Sequence, residues 1–314
     1  MRVQGNLLPR RRYNRTRESF FVGRKIVNTT PHRIDAHHHL WHYAPKEYGW
    51  INEQMGILRR DFLPGDLKPL LDLAGISGAI AVQARQDIEE TRWLLTLANE
   101  PGNAGWMKGV VGWAPIAAPD FPETLATLRQ STRLKGLRHI IQDEPDDQFI
   151  LSPAFNRGIR LLRDTGLVYD ILIRARHLPQ TLQFVDVHPD QSFVLDHCAK
   201  PPIAAGELEP EELEPWSTHM RELAKRPNVC CKLSGLVTEA DWLHWTPVSL
   251  EPYWRVVLDA FGPARLLFGS DWPVSLLASR YQLWIDTVAE WTAPLSENER
   301  SAIWGGTAAR IYSL

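Results

Sequence analysis

The chain has little cysteine, with three in 314 residues. Cys198, Cys230 and Cys231 cannot build the disulfide framework of a secreted scaffold, and the adjacent pair Cys230 and Cys231 is poorly placed to bridge. A reducing, cytoplasmic setting is therefore expected. Long hydrophobic runs are missing too: no stretch of about 18 apolar residues exists, which excludes a transmembrane helix. Nor is there an excess of one charge, because 35 Lys and Arg stand against 37 Asp and Glu, a formal net charge of −2. That balance argues against nucleic-acid or membrane-surface binding through bulk electrostatics and leaves a small molecule as the expected partner. No G-x-G-x-x-G follows a strand-like run, so a dinucleotide-binding open sheet has no support, and no repeat of fixed period is present.

What is there begins with a basic extension. Residues 1–25 carry Arg2, Arg10, Arg11, Arg12, Arg15, Arg17, Arg24 and Lys25 without the apolar core of a secretory signal. Residues 1–30 read as a disordered or loosely docked tail. An arm packed on a second subunit of a homo-oligomer and a start site called too early are alternative readings; a nucleic-acid arm is a third, disfavoured by the neutral body. The remaining residues, 31–314, belong to a chain that is 44% hydrophobic and 23% charged, ordinary for a soluble protein with a sizeable core. Their number suits one α/β barrel.

Short β-branched or apolar runs occupy 33–39, 79–83, 109–113, 136–142, 168–174, 192–197, 229–234 and 265–271. Between them, helical spacing with Gly and Pro punctuation predicts helices over 64–74, 87–99, 153–165, 178–187, 209–225, 250–261 and 281–291, with a last one over 297–303. Strand and helix alternating eight times, with strands apolar on both faces, predict a single (β/α)8 TIM barrel. In that fold the active site lies where the strands end. Here those ends are strongly polar.

The first strand ends in His37 and His39. Side chains alternate along a strand, so this H-x-H pair puts both imidazoles on one face and turns His38 away. Such a pair begins a metal site or a charged reaction centre, or is simply a polar strand end. Strand two ends in Gln83, with small Ala79 and Ala81 on its inward parity, and strand three ends in Trp113. Strand four carries Arg138 and Gln142, strand six ends in Asp196, His197, Cys198, Ala199 and Lys200, and strand eight ends in Ser270, Asp271 and Trp272. Lys232 and Ser234 share one parity of strand seven, where a buried Lys232 needs a partner or water. Trp41, Trp50, Trp113 and Trp272 lie near strand ends or in the long first loop, placed either to wall a ligand or to fill the core. Structural roles suit the rest: His139 toward the helix layer, His177 as a cap or rim group, and His188, His219 and His244 at the surface or in loops. Trp93, Trp254, Trp284 and Trp304 suit the core, and Cys198 serves as a small filler.

I-D-x-H-x-H (34–39), D-H-x-x-K (196–200) and G-S-D-W-P (269–273) resemble the amidohydrolase superfamily in its amidohydrolase-2 branch. V-Q-A (82–84), V-G-W (111–113), G-L-R-H-I-I-Q-D-E-P (136–145) and C-K-L-S-G (231–235) are similar to its sugar-lactonase group, which includes L-fuconolactonase and L-rhamnonolactonase-like enzymes. A 2-pyrone-4,6-dicarboxylate lactonase is a more distant relative. The likeness spans 31–314 and spares only the tail. It implies a barrel that opens a small sugar-acid lactone, with His37, His39, His197 and Asp271 as catalytic residues.

The same four residues are implied as ligands of one divalent metal ion, zinc first among the candidates, since three imidazoles and a carboxylate leave a position for water. Asp271 is the expected general base. Gln83, Trp113, Arg138, Gln142, Lys200, Lys232, Trp41 and Trp272 are expected to bind the substrate. Two-metal members of the superfamily place a bridging Lys or Glu at the end of strand four and a His at the end of strand five. Here those strands end Ile141-Gln142 and Ile173-Arg174, so one metal is the most expected. Metal-free catalysis, with Lys, Arg and His stabilising the oxyanion, is the alternative. Two other functions stay open: a metal-dependent decarboxylase of the same branch, against which the Q-D-E-P run weighs, and a non-catalytic ligand-binding barrel, against which Asp271 weighs.

Overall fold

A computed structural model of the chain describes residues 32–203 and 213–314. The extension expected over 1–30 and the first residues of the helix expected over 209–225 lie outside them. Eight strands pair in chain order, every pair parallel: β1 Ile34–His38, β2 Gly78–Val82, β3 Met107–Gly112, β4 Leu134–Ile140, β5 Val168–Leu172, β6 Phe193–Leu195, β7 Val229–Leu233 and β8 Leu266–Phe268. The return from β8 to β1 runs through a parallel bridge between His38 and Trp272. Across it the Asp271 N–H donates to the His37 carbonyl at 2.8 Å and the His39 N–H to the Trp272 carbonyl at 2.6 Å. Closing the barrel therefore sets His37 and His39 beside Asp271. The predicted (β/α)8 barrel is the fold observed.

The strands alternate with helices α1 Pro64–Leu73, α2 Ile88–Asn99, α3 Phe121–Leu128, α4 Pro153–Leu162, α5 Leu178–Asp186, α6 Trp216–Ala224, α7 Leu236–Glu239 and α8 Pro247–Phe261. After β8 come α9 Tyr281–Thr292, α10 Glu297–Ser301 and α11 Thr307–Ile311. Local chemistry starts several of them. The Asp87 side chain accepts the Glu89 N–H at α2, and Ser152 accepts the Phe155 N–H at α4, each satisfying a donor that the first turn leaves free. Helix α3 was not expected from the spacing. It is short, yet it buries Phe121, Leu125 and Leu128 along one face.

Inside the barrel, Ile34, Ala36, Ile80, Val82, Val111 and Val194 pack with Ala308 and Tyr312 from the C-terminal segment. Each buried Val or Ile there contributes about 1.5–3 kcal/mol relative to exposure. This apolar floor corrects the parity expected for strand two: Ile80 and Val82 point inward, while Ala79 and Ala81 belong to the core shared with the helices. Gln83 lies one residue beyond the strand, so its side chain does not follow the pleat. A second irregularity matters more. The register of β1 shifts between Asp35 and His38. A bulge re-aims side chains, and here His37 joins His39 at the mouth although Ile34 and Ala36 below it already hold the inner face.

Candidate active site

Beneath the mouth, the three imidazoles of His37, His39 and His197 surround one carboxylate oxygen. Asp271 Oδ1 lies 3.3 Å from His39 Nε2, 3.7 Å from His37 Nε2 and 3.8 Å from His197 Nε2, and the Nε2 atoms of His37 and His39 are 3.2 Å apart. All four residues are buried. The other ring nitrogens are engaged. His39 Nδ1 meets the Val82 carbonyl at 2.8 Å; a carbonyl only accepts, so Nδ1 carries the proton and Nε2 keeps its lone pair. His197 Nδ1 meets Ser234 Oγ at 2.9 Å.

The backbone at β6 and β8 is strained to present these groups. His197, Cys198, Ala199 and Lys200 all have positive φ, from 48° to 60°, and Asp271 has φ 56°. Left-handed conformations in residues with a Cβ each cost about 1–2 kcal/mol, a pattern typical of functional sites. Gly235, with φ +66°, closes the pocket behind His197: a Cβ there would lie 2.5 Å from His197 Nδ1. Asp35 ties the two ends together by accepting the N–H groups of Ser270 at 2.8 Å and His37 at 3.1 Å and the Tyr281 hydroxyl at 3.0 Å.

Burial holds the His197 imidazole down to about 4 and keeps His37 well below the ordinary histidine range, so both are neutral near pH 7. For Asp271, burial pushes the carboxyl up, but the facing imidazoles of His197, His39 and His37 outweigh it, and the group stays ionised below the usual carboxylate range. Neutral nitrogens and an ionised oxygen are the donor set a divalent metal needs. The spacing agrees for His37, His39 and Asp271, whose ligand atoms lie within 4.8 Å of one another, since tetrahedral ligands at about 2.0–2.1 Å from an ion sit roughly 3.3 Å apart; His197 falls outside that group of three. A second group of three, His37, Asp196 and His197, also lies close enough. Its Asp196 is committed to cations, with Oδ2 on Arg138 Nη1 at 2.9 Å and Oδ1 on Lys232 Nζ at 3.0 Å.

Above these groups opens a cavity of about 410 Å³, the size of a small-molecule site. His39, His197, Asp271 and Arg138 form its floor, and Gln142 and Lys200 its sides, so six of the residues expected from sequence meet there. His37 lies immediately below. Lys200 Nζ pairs with Glu239 Oε1 at 3.3 Å. Gln142 Oε1 is buried without a hydrogen-bond partner among the described residues. Arg174 also lines the cavity and has no carboxylate partner among the described residues.

Several expected substrate contacts are corrected. Lys232 is buried under the floor on Asp170 and Asp196, and Gln83 is buried with its main-chain carbonyl accepting from Arg138. Trp41, bridged to Phe62, packs on Tyr48, Trp50 and Phe62, and Trp272, bridged to His38, packs on Phe62; neither lines the cavity. The Trp113 indole donates to His139 Nδ1 at 3.4 Å. Of the four tryptophans weighed for an apolar wall, Trp50 lines the cavity, together with Met55, Trp242, Val274 and Leu277. His188, expected at the surface or in a loop, lies in the loop after α5, where it is buried with Nε2 donating to Asn156 Oδ1 at 2.7 Å. His139 faces the helix layer as expected, stacked on Phe149 and bonded to Glu144. Asp170, Glu239 and Trp242 carry no pattern in the sequence that marks them, and Asp196, a polar end of strand six, had no role assigned. Only Asp196 carried a signal, as the first letter of D-H-x-x-K.

A sequence model of the amidohydrolase family, Amidohydro_2, matches residues 34–314. The chain belongs to the amidohydrolase family. It is 45% identical over 288 residues to the L-fucono-1,5-lactonase of Burkholderia multivorans, covering 90% of this chain and 96% of that protein. The L-fucono-1,5-lactonase of Burkholderia ambifaria is 38% identical over 286 residues, with the same two coverages. A crystal structure of an amidohydrolase from Burkholderia multivorans with bound zinc is similar at TM-score 0.85 and 44% identity, covering 90% of this chain and 99% of that one. In this amidohydrolase no helix among the described residues is long and apolar enough to cross a membrane.

Proposed function

We propose that this amidohydrolase opens a sugar-acid lactone by attack of water, with Asp271 as general base and one zinc ion held by His37, His39, His197 and Asp271. The observation that carries the reading is Asp271 Oδ1 within 3.8 Å of three imidazole Nε2 atoms at the floor of the cavity, in a chain 45% identical to an L-fucono-1,5-lactonase. Two relatives that share this activity favour the lactonase over the decarboxylase reading.

The bound ion would polarise the lactone carbonyl and lower the pKa of water beside it. Asp271, whose carboxyl lies below the usual carboxylate range, takes a proton from the attacking water as the water oxygen bonds to the carbonyl carbon. Arg138 on the floor faces the carbonyl oxygen as it gains negative charge. When the ring C–O bond breaks, Asp271 returns the proton to the ring oxygen, which becomes the free hydroxyl. Water and lactone together yield one hydroxy acid, and no redox partner is needed. Gln142, whose Oε1 is unpaired among the described residues, and Arg174, which has no carboxylate partner among them, hold the hydroxyl groups and the new carboxylate. Trp50 and Trp242 cover the apolar face of the ring.

The test is a pH-indicator screen of 1,4- and 1,5-aldonolactones alongside metal analysis of the purified protein. Asp271→Asn is expected to lower kcat by about 10²–10⁴-fold while the protein melts as the wild type does. A fully active variant removes the role given to Asp271. Carbon dioxide release from an aromatic acid, with no lactone opened, would overturn the reading in favour of a decarboxylase.

A further inference from the structure

Under the cavity floor, four charged side chains share the barrel interior: Arg138, Asp170, Asp196 and Lys232, all essentially unexposed. Lys232 Nζ lies 2.5 Å from Asp170 Oδ2, 3.0 Å from Asp196 Oδ1 and 3.2 Å from His37 Nδ1. Asp196 Oδ2 accepts from Arg138 Nη1 at 2.9 Å, and its Oδ1 is 3.3 Å from His37 Nδ1. At the other end, the Tyr312 hydroxyl reaches both Asp170 oxygens, at 2.8 and 2.9 Å. Two carboxylates and two cations balance. A chain of contacts thus runs from the C-terminal Tyr312, through the barrel, to the ring of His37.

Such a cluster is an expensive way to fill a core, because well-packed apolar residues of similar volume often do as well or better. Arg138 lines the cavity itself, and the cluster meets the imidazole group at His37. Two tautomers compete there. In one, Nδ1–H donates to Asp196 and Nε2 keeps its lone pair on the side of Asp271. In the other, Lys232 donates to Nδ1 and the proton sits on Nε2. Charge-assisted bonds are the stronger ones, and the two nearest partners of the ammonium are carboxylates at 2.5 and 3.0 Å. Arg138 Nη1, which can only donate, stands 3.4 Å from His37 Nε2, and Asp196 Oδ1 is a buried acceptor with no hydrogen-bond partner among the described residues, so the lone pair belongs on Nε2 and the proton on Nδ1, facing Asp196.

We propose that Lys232 is a positioning residue: it pins Asp196 so that this carboxylate receives the His37 Nδ1–H and leaves Nε2 free for a metal ion, with Tyr312 and Asp170 anchoring Lys232 from below. The proposal rests on the reading of the centre as a hydrolytic zinc site, and it moves Lys232 from the substrate to the support of a ligand. Ordering a histidine ligand through its second nitrogen is worth about 10–100-fold in metal affinity.

Zinc affinity, measured by competition with a chromophoric chelator, is compared with stability and with lactone turnover in three variants. Lys232→Met leaves two buried carboxylates facing Arg138 alone; it is expected to melt lower, to bind zinc about 10–100-fold more weakly, and to lose kcat with KM little changed. Lys232→Met combined with Asp170→Asn removes both members of the nearest ion pair, so most of the melting temperature returns while zinc affinity and kcat stay low. A double variant that binds zinc and turns over like the wild type overturns the proposal, because Lys232 would then only neutralise Asp170. Tyr312→Phe keeps every charge and loses only the anchoring hydroxyl. It should fold and bind zinc several-fold more weakly, and unchanged zinc affinity there refutes the anchoring link. If the wild type opens no lactone, the functional reading fails, yet the zinc competition still decides the role of Lys232.

Discussion

Gly235 is the position where a single added methyl group should reveal how His197 is held. Gly235→Ala imposes two costs. The backbone there has φ +66°, and holding alanine in the left-handed region costs about 1–2 kcal/mol. The new Cβ would also sit 2.5 Å from His197 Nδ1 and 2.6 Å from its Cγ, and overpacking of this kind costs about 1–3 kcal/mol. Together these predict a loss of roughly 2–5 kcal/mol. Relief requires the imidazole to move, which breaks its 2.9 Å contact with Ser234 Oγ. A displacement of about 1 Å at a reacting centre costs on the order of 10²-fold in rate. Gly166→Ala supplies the control, since its φ is +77° but nothing lies within 4 Å of the added Cβ. It should lose only the backbone part and keep full activity. Urea unfolding gives the two stabilities, and a lactone-opening assay gives the two kcat values. Equal losses of stability, with wild-type kcat in Gly235→Ala, would refute the packing described for His197.

Three further outcomes follow from other parts of the barrel. Glu90 accepts the Ala84 and Arg85 N–H groups at 2.9 and 3.0 Å, and burial pushes its carboxyl up to about 7 from an ordinary 4.5. The folded chain thus holds this proton more tightly than the unfolded one, a contribution complete below pH 4.5 and lost as pH rises through 7; between pH 5 and 8 it amounts to about 2.5 kcal/mol. Glu90→Gln should lose that much less stability over the same interval, and unfolding curves at both pH values with the wild-type difference would contradict it. His38 is fully buried with neither ring nitrogen hydrogen-bonded among the described residues, so His38→Leu should raise stability by about 1–3 kcal/mol; a destabilised variant would show that the ring has a partner. Arg174→Met should weaken calorimetric binding of the aldonate product by roughly 10–100-fold, the worth of a charged hydrogen bond, while KM for the neutral lactone moves little. Unchanged aldonate affinity would remove Arg174 from the product site.

Much of the site was legible because periodicity and chemistry agreed. Eight apolar runs separated by helical segments leave few folds available, and the barrel dictates that strand ends converge. His39, His197, Asp271, Arg138, Gln142 and Lys200 could therefore be placed at one mouth from their positions at strand ends. The misplaced residues share a different cause. Trp41, Trp113 and Trp272 sit beside polar strand ends in sequence, yet a bridge to Phe62, a bond to His139 and a bridge to His38 respectively hold them in the wall of the barrel.

The amino-acid sequence by itself determined the eightfold alternation, the histidine pair, the D-H-x-x-K and G-S-D motifs and the family they resemble, because each rests on local pattern. Only the tertiary structure decided which way those groups point. The bulge in β1 brings His37 to the inner face, and four left-handed residues carry the segment from His197 to Lys200. Lys232 meets Asp170, Asp196 and His37 from strands that are distant in sequence. These depend on register, backbone strain and charges compensated across the barrel. Such quantities arise between elements, and no single element's sequence contains them.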